Sequence, residues 1–412
     1  MEERRTFIKQ AVWMMGGVWL APRITGRSAH GLRVLDQERC FVNNAYQTTG
    51  CRPVPPDPGF LLHPHLPGIP AVNPVPFEWE KENFSSGNGY HITDNVYLED
   101  GKPWVLQLAI STPGKSDTAS GSPLYKIWYR VSTDNGVHFT PLKQLIVKGH
   151  DRMKPVEGVQ IGRNGFNVDF GRPVVKASNG EIMVPVGLHP WDAVQNKRYL
   201  PNPKAFLFQD AGVLAGKWAA DGSDLQWEFG EWLRIDHHLS TRGLSEPSIV
   251  ELRTPGHFAM VARGSNLGAP DLPCYAWVSF SKDYCRTWSP CRPLGYSDGG
   301  SFFVTTAQSA LFKSRATGKT YWVGNLQKEN PKASAPRYPL VIGEMDPDAF
   351  GLVRDTVIRI DTRQEDKEDE SVQLSNFRIM EHKTKNEIII SLRRRDKTGA
   401  AAADSWYRIR LA

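Results

Sequence analysis

This chain of 412 residues lacks long apolar runs, a charge bias of one sign and any dense cluster of cysteines. Its longest apolar stretch, 11–21, falls well short of the ~20 residues that a helix needs to cross a hydrocarbon core. The five cysteines, Cys40, Cys51, Cys274, Cys285 and Cys291, match no structural zinc spacing. A Cys274–Cys291 cross-strand bridge is feasible on spacing, and an odd count leaves one thiol over. With 50 Lys+Arg against 44 Asp+Glu, the formal charge of +6 is too small to argue for a nucleic-acid partner. No metal-ligand cluster or phosphate-cradling loop is evident, so no cofactor is expected. Composition excludes disorder, collagen and coiled coil, and no long amphipathic helical pattern occurs.

What is present is turn chemistry and aromatic mass. There are 36 Gly and 30 Pro, with 18 Phe, 13 Trp and 12 Tyr, a balance that favours strands over helices. Arg4-Arg5-Thr6-Phe7 ahead of the modest apolar stretch resembles a twin-arginine export signal. The expectation is a signal over 1–28 and an exported protein, periplasmic or secreted, with no stable membrane span; an odd handful of cysteines fits that compartment. Residues 48–89 are crowded with proline and are expected to form an ordered coil wrapping the rest.

From residue 90 a theme of short strand, polar turn, strand and third strand recurs five times, with a period of roughly 50–70 residues. This predicts an all-β chain folded as one β-propeller over 30–412, six-bladed, with five blades as the alternative. The sixth blade is expected from Arg33–Val42 or from the weakly patterned region 204–235. Residues 363–370 and Arg393-Arg394-Arg395 read as solvated surface charge.

Two third-strand turns share one frame. Ser132-Thr133-Asp134-Asn135-Gly136-Val137-His138-Phe139 follows Ser-x-Asp-x-Gly-x-x-aromatic, and Ser281 to Trp288 follows it with Cys285 in the glycine place. Residues 221–227 are a degenerate third copy. In this frame Ser and Asp cap backbone N–H groups and the aromatic packs beneath, so Asp134 and Asp283 are structural. The frame is that of the Asp box, and from 88 to 392 the chain resembles the exo-sialidase superfamily.

That resemblance implies a set of site residues. In the family an arginine on the first blade precedes an acid/base aspartate; here His91 stands in the arginine's place and Asp117 in the aspartate's. The family's Glu-x-x-x-x-Glu-Leu strand, followed by a second arginine, is matched by Glu246, Glu251-Leu252 and Arg263. The stretch 307–311 followed by Arg337 matches the approach to the third arginine. The nucleophilic tyrosine has no counterpart near Ser375-Asn376-Phe377. In the family three arginines clamp the carboxylate on the anomeric carbon, the Glu-activated tyrosine attacks, and the aspartate protonates the leaving oxygen. Arg172 and His189 are further candidates to line the pocket.

The implied function is an exported glycoside hydrolase, a monomer without cofactor or nucleic-acid partner, releasing a terminal acidic sugar from an oligosaccharide or polysaccharide. With Asp117 and Glu246 as the catalytic pair, retention and inversion both stay open. A uronate-specific lyase, with His91 or His189 as base beside Arg263 and Arg337, is the second reading. A non-catalytic carbohydrate-binding propeller is the third. The plainest alternative is structural: Glu246 paired with an arginine, and Arg263 and Arg337 stapling blades.

Overall fold

The computed structural model describes residues 32–42, 48–49, 89–112, 125–169, 174–365, 368–382, 386–394 and 403–411. The 1–28 signal, nearly all of the proline-rich stretch, Asp117 and Arg172 lie outside the described residues. Strands dominate: among the described residues, the only helical element is a 3-10 turn at Arg354–Thr356, and no helix is long and apolar enough to cross a membrane.

The chain opens with β1 (Arg33–Val42) and β2 (Thr48–Thr49). Blade 1 pairs β3 (Gly89–Leu98), β4 (Val105–Thr112), β5 (Lys126–Ser132) and β6 (Lys143–Gln144) in sequence order. Blade 2 begins with β7 (Phe166–Asn167) and β8 (Val175–Lys176), which share one edge of β9 (Ile182–Leu188). A small hairpin of β10 (Trp191–Asp192) and β11 (Lys197–Arg198) then leads to β12 (Asp210–Trp218) and β13 (Leu225–Phe229). Blade 3 is β14 (Ser245–Glu251), β15 (Phe258–Arg263), β16 (Ala276–Ser281) and β17 (Arg292–Pro293). After β18 (Phe303–Val304), blade 4 comprises β19 (Ala310–Lys313), β20 (Thr320–Gly324), β22 (Leu340–Glu344) and β23 (Ile358–Asp361), while β21 (Leu326–Gln327) pairs back to β18. Blade 5 takes β24 (Arg378–Glu381), β25 (Glu387–Arg394) and β26 (Ala403–Arg410), and β1 closes it by antiparallel pairing with β26.

Five blade sheets are therefore found among the described residues, in a propeller arrangement, where six were expected. Both stretches reserved for a sixth are used elsewhere: β1 completes blade 5, and 204–235 supplies β12 and β13 of blade 2. Middle strands are buried on both faces, as all seven residues of β9 are, which is why they read as continuous apolar runs.

Apolar clusters fill the seams between successive blades. Leu106, Ile127, Phe166 and Trp227 join blades 1 and 2; Met183, Val213, Phe258 and Met260 join 2 and 3. Val261, Leu311, Trp322 and Val341 join 3 and 4; Val323, Ile342, Ile390 and Tyr407 join 4 and 5. At the far end of the first strands, polar staples run from blade to blade. Lys176 pairs with Glu99, Ser178 Oγ donates to Glu251 Oε1 (2.6 Å), and Lys313 Nζ donates to the Glu251 carbonyl (2.8 Å). Arg315 reaches both Glu381, through its backbone N–H (2.7 Å), and Asp100 of blade 1 (2.8 Å).

The two eight-residue turns have the same internal bonds. Ser132 Oγ accepts from Gly136 N–H (2.8 Å) and Asp134 Oδ1 from His138 N–H (2.9 Å); Ser281 and Asp283 repeat this with Cys285 (2.9 Å) and Thr287 (2.9 Å). Gly136 and Cys285 both sit at positive φ, 83° and 64°.

Two surface readings are corrected. Arg394 is not surface charge: it is buried, and its guanidinium bonds Asp361 (2.6 Å) and Glu368, so the 363–370 segment is anchored by an ion pair rather than freely solvated. Cys274, Cys285 and Cys291 are all free thiols, so there is no Cys274–Cys291 bridge.

Candidate active site

The near end of blade 3 concentrates the polar side chains. β14 opposes Ser245 to Arg263 and Ser248 to Val261, so Glu246 and Pro247 together face Ala262 alone. This extra residue is a bulge, a feature that re-aims a side chain at the start of a strand. Glu246 adopts φ 51°, in the left-handed region that a non-glycine residue rarely occupies, and Pro247 disfavours the right-handed helical region for it. The outcome is a directed contact: Arg263 Nη1 donates to Glu246 Oε1 at 2.7 Å, and Arg263 Nε to Ser245 Oγ at 3.1 Å. Both side chains are mostly withdrawn from solvent.

Arg242, four residues before Glu246, was not singled out by the sequence. Its loop is bolted down on both sides: Thr241 N–H donates to Ser265 O (2.8 Å), Ser240 Oγ to Gly243 O (2.6 Å) and Leu244 N–H to Gln209 O (2.8 Å). Gly243 is required there, because its φ is +70° and an added Cβ would meet Gln209 O at 2.1 Å. Arg242 itself is 6% exposed, lies over the Phe206 ring at 4.2 Å, and its Nε has no hydrogen-bond partner. Burial, with the charges of Arg263 and Arg337 against that of Glu246, lowers its pKa to about 9. Arg242 thus lies in the electrostatic field of Arg263, Arg337 and Glu246.

Arg337 reaches this field from blade 4. Its Nη1 donates to Ser375 Oγ (3.1 Å) and Gln373 Oε1 (3.3 Å), and its Nε to Ser334 O (3.1 Å). Ser375 is buried where the family's tyrosine was sought. His189 follows the end of β9 and is 3% exposed; burial, then the charges of Arg198 and Arg242, push its pKa down to about 3. It belongs to a polar chain: its Nε2 is 3.4 Å from Gln209 Nε2, which donates to Asn167 Oδ1 (3.1 Å), while Asn167 Nδ2 donates to Asp169 (2.8 Å). Tyr125 packs near its ring, with centroids 6.0 Å apart, and burial followed by the Asp169 charge raises the phenol pKa.

Of the residues expected from sequence, Glu246 and Arg263 form an ion pair, while Arg337 and His189 are linked to them only through the charge of Arg242. The backbone of His91 is on β3 opposite Ile110; its side chain lies outside the described residues, as do Asp117 and Arg172 entirely. For a metal, the one close grouping of ligand-type side chains among the described residues is Asp236-His237-His238, consecutive in a loop, where Asp236 Oδ1 already caps His238 N–H (2.8 Å).

No protein-family model matches the chain and no curated protein matches it in sequence. Solved structures do. The Hadza microbial sialidase Hz136 is 13% identical with a TM-score of 0.50, over 79% of this chain and 53% of that one. A point mutant of the NanB sialidase from Streptococcus pneumoniae is also 13% identical with a TM-score of 0.50, over 81% and 59%. Trypanosoma rangeli sialidase in complex with sialic acid is 14% identical with a TM-score of 0.49, over 80% and 46%. The chain thus spans about half the length of these proteins. The likeness is one of fold: this is a β-propeller of the sialidase-like kind.

Proposed function

We propose that the protein is an exported glycoside hydrolase that releases a terminal acidic sugar, sialic acid or a relative, from glycans. The observation that carries this reading is the Glu246–Arg263 pair inside the shared field of Arg242 and Arg337. In this reading the three arginines hold the sugar carboxylate, with buried Arg242 supplying the cation that His91 does not. Asp117 protonates the glycosidic oxygen as its bond to the anomeric carbon breaks. Water adds to that carbon and passes its proton to Glu246, because Ser375 offers no phenol as nucleophile. This route inverts configuration; direct attack by Glu246 would retain it.

The test is turnover of sialosides and of uronate glycosides, followed by the anomeric form of the released sugar. Glu246→Gln is expected to lower turnover at least ~100-fold. An unsaturated, ultraviolet-absorbing product would replace hydrolysis with the lyase reading. His189 favours that second reading in being neutral above about pH 3, but at 3% exposure it is poorly placed to meet a substrate proton. Binding of acidic sugars without any turnover would leave the carbohydrate-binding reading. Export belongs to the same proposal: Arg4→Lys with Arg5→Lys is expected to hold the precursor in the cytoplasm, and undiminished export would remove it.

A further inference from the structure

Arg337 also borders a second space. Residues 326–339, with Leu267, Arg359, Thr362 and 370–373, line a cleft of about 1120 Å³. Sites for one small molecule run to roughly 300–1,000 Å³, so this cleft exceeds what a single sugar ring would fill. Its charged lining is Lys328, Lys332, Arg337 and Arg359 against Glu329 and Glu370, and Glu370 has Arg363 at 4.0 Å. Tyr338 adds a half-buried ring.

The walls are held in place. Asn330 Nδ2 donates to Leu272 O and Pro270 O (both 3.0 Å), and its Oδ1 accepts from Cys274 N–H (2.9 Å). Asn266 grips the next turn through Pro331 O (2.8 Å) and Ala333 N–H (2.9 Å). Gln327 Nε2 donates to Tyr338 O (2.8 Å). A long connection fixed by side-chain bonds at several points is preorganised, and preorganisation reduces the entropy lost on binding.

We propose that this cleft holds a further acidic sugar of the same glycan, so that the substrate class is an acidic oligosaccharide rather than a single acidic cap. The proposal rests on the arginine-cluster reading. Arg337 is the link: its guanidinium bonds the buried Ser375 and, in the cleft wall, Gln373, and its charge is felt at Arg242.

The experiment uses the full chain carrying Glu246→Gln, so that probes are bound and not consumed. Affinities are measured by calorimetry for sialic acid, its α-linked tetramer, galacturonic acid and tetragalacturonate. One tetramer is expected to bind about tenfold or more tighter than its monomer, as linked contacts allow. Adding Lys332→Glu with Arg359→Glu is expected to abolish that advantage and leave the monomer affinity within twofold. Preserved monomer binding also reports that the double variant folds. Equal affinities for monomer and tetramer overturn the proposal while leaving the arginine cluster intact, and so does a tetramer advantage that survives the double variant. Tight tetramer binding with no monomer binding, lost in the double variant, sustains the cleft and removes the cluster reading. If no probe binds, both fall.

Discussion

At Glu246 the backbone and the side chain make opposing demands. A residue held at φ 51° costs on the order of 1–3 kcal/mol, and the ion pair to Arg263 is what the conformation delivers. Glu246→Ala and Glu246→Gly both delete that pair, so their difference isolates the backbone. The glycine variant is expected to be the more stable by about 1 kcal/mol in denaturant unfolding, with both inactive. The opposite order would place the strain elsewhere. His189 makes a second residue-scale prediction. Its pKa is held near 3 by burial, against 6.5 when exposed, so between those values the unfolded chain binds the extra proton. Stability therefore falls as pH drops from 6.5 towards 3, by about 2 kcal/mol at pH 5 from this group. His189→Gln is expected to flatten that limb of the stability–pH curve and leave stability above pH 7 with no comparable slope change; an unaltered acid limb would assign it to other groups.

Within a single element, β14 carries two glutamates with different work. Glu246 opens the strand on the bulge and faces arginines; Glu251 closes it and binds the next blade. Glu251 accepts from Ser178 N–H (2.8 Å), Ser178 Oγ (2.6 Å) and Gly256 N–H (2.8 Å), all at the end remote from the arginine cluster. Gln in its place presents an NH₂ to donors and leaves buried groups unpaired, which costs roughly 1–3 kcal/mol. Glu251→Gln is thus expected to lower the melting temperature and leave acidic-sugar affinity unchanged, whereas Glu246→Gln is expected to lower turnover at least ~100-fold. Loss of affinity in Glu251→Gln would mean that the two ends of the strand are coupled. The spacing in the sequence announced both glutamates, and only the register of β14 on β15 separates their roles. The Ser132 and Ser281 turns were more legible, because every bond that defines them closes within eight residues.

Across the whole molecule, what could be read in advance was what repeats locally. Strand–turn–strand periodicity gave an all-β propeller, and the pairing of β14 with β15 brings Glu246 to Arg263, the pairing that the structural alternative had named. Blade number was harder. β12 was obscured by Gly212 and Gly216, whose missing side chains make room for Trp232 and Phe229, and for Trp227 and Leu225. Arg242 escaped notice because it precedes its strand in a loop, and its place in the field depends on Arg337 from another blade. The closing pair, β1 on β26, joins residues more than 360 positions apart, and no local pattern names that partner. Eight aligned pairs link these strands, from Arg33 opposite Arg410 to Phe41 opposite Ala403, and Leu32 just ahead is fully buried in the seam between blades 4 and 5. Without β1, β26 becomes an open edge and that seam loses an anchor, in a ring where each blade leans on the next. A chain starting at residue 32 is expected to melt like the full chain, in one cooperative transition. A chain starting at residue 43 is expected to melt at least ~10 °C lower, broadly, and to bind a dye for exposed apolar surface. Indistinguishable melting of the two truncations would show that the ring does not need this strand to close.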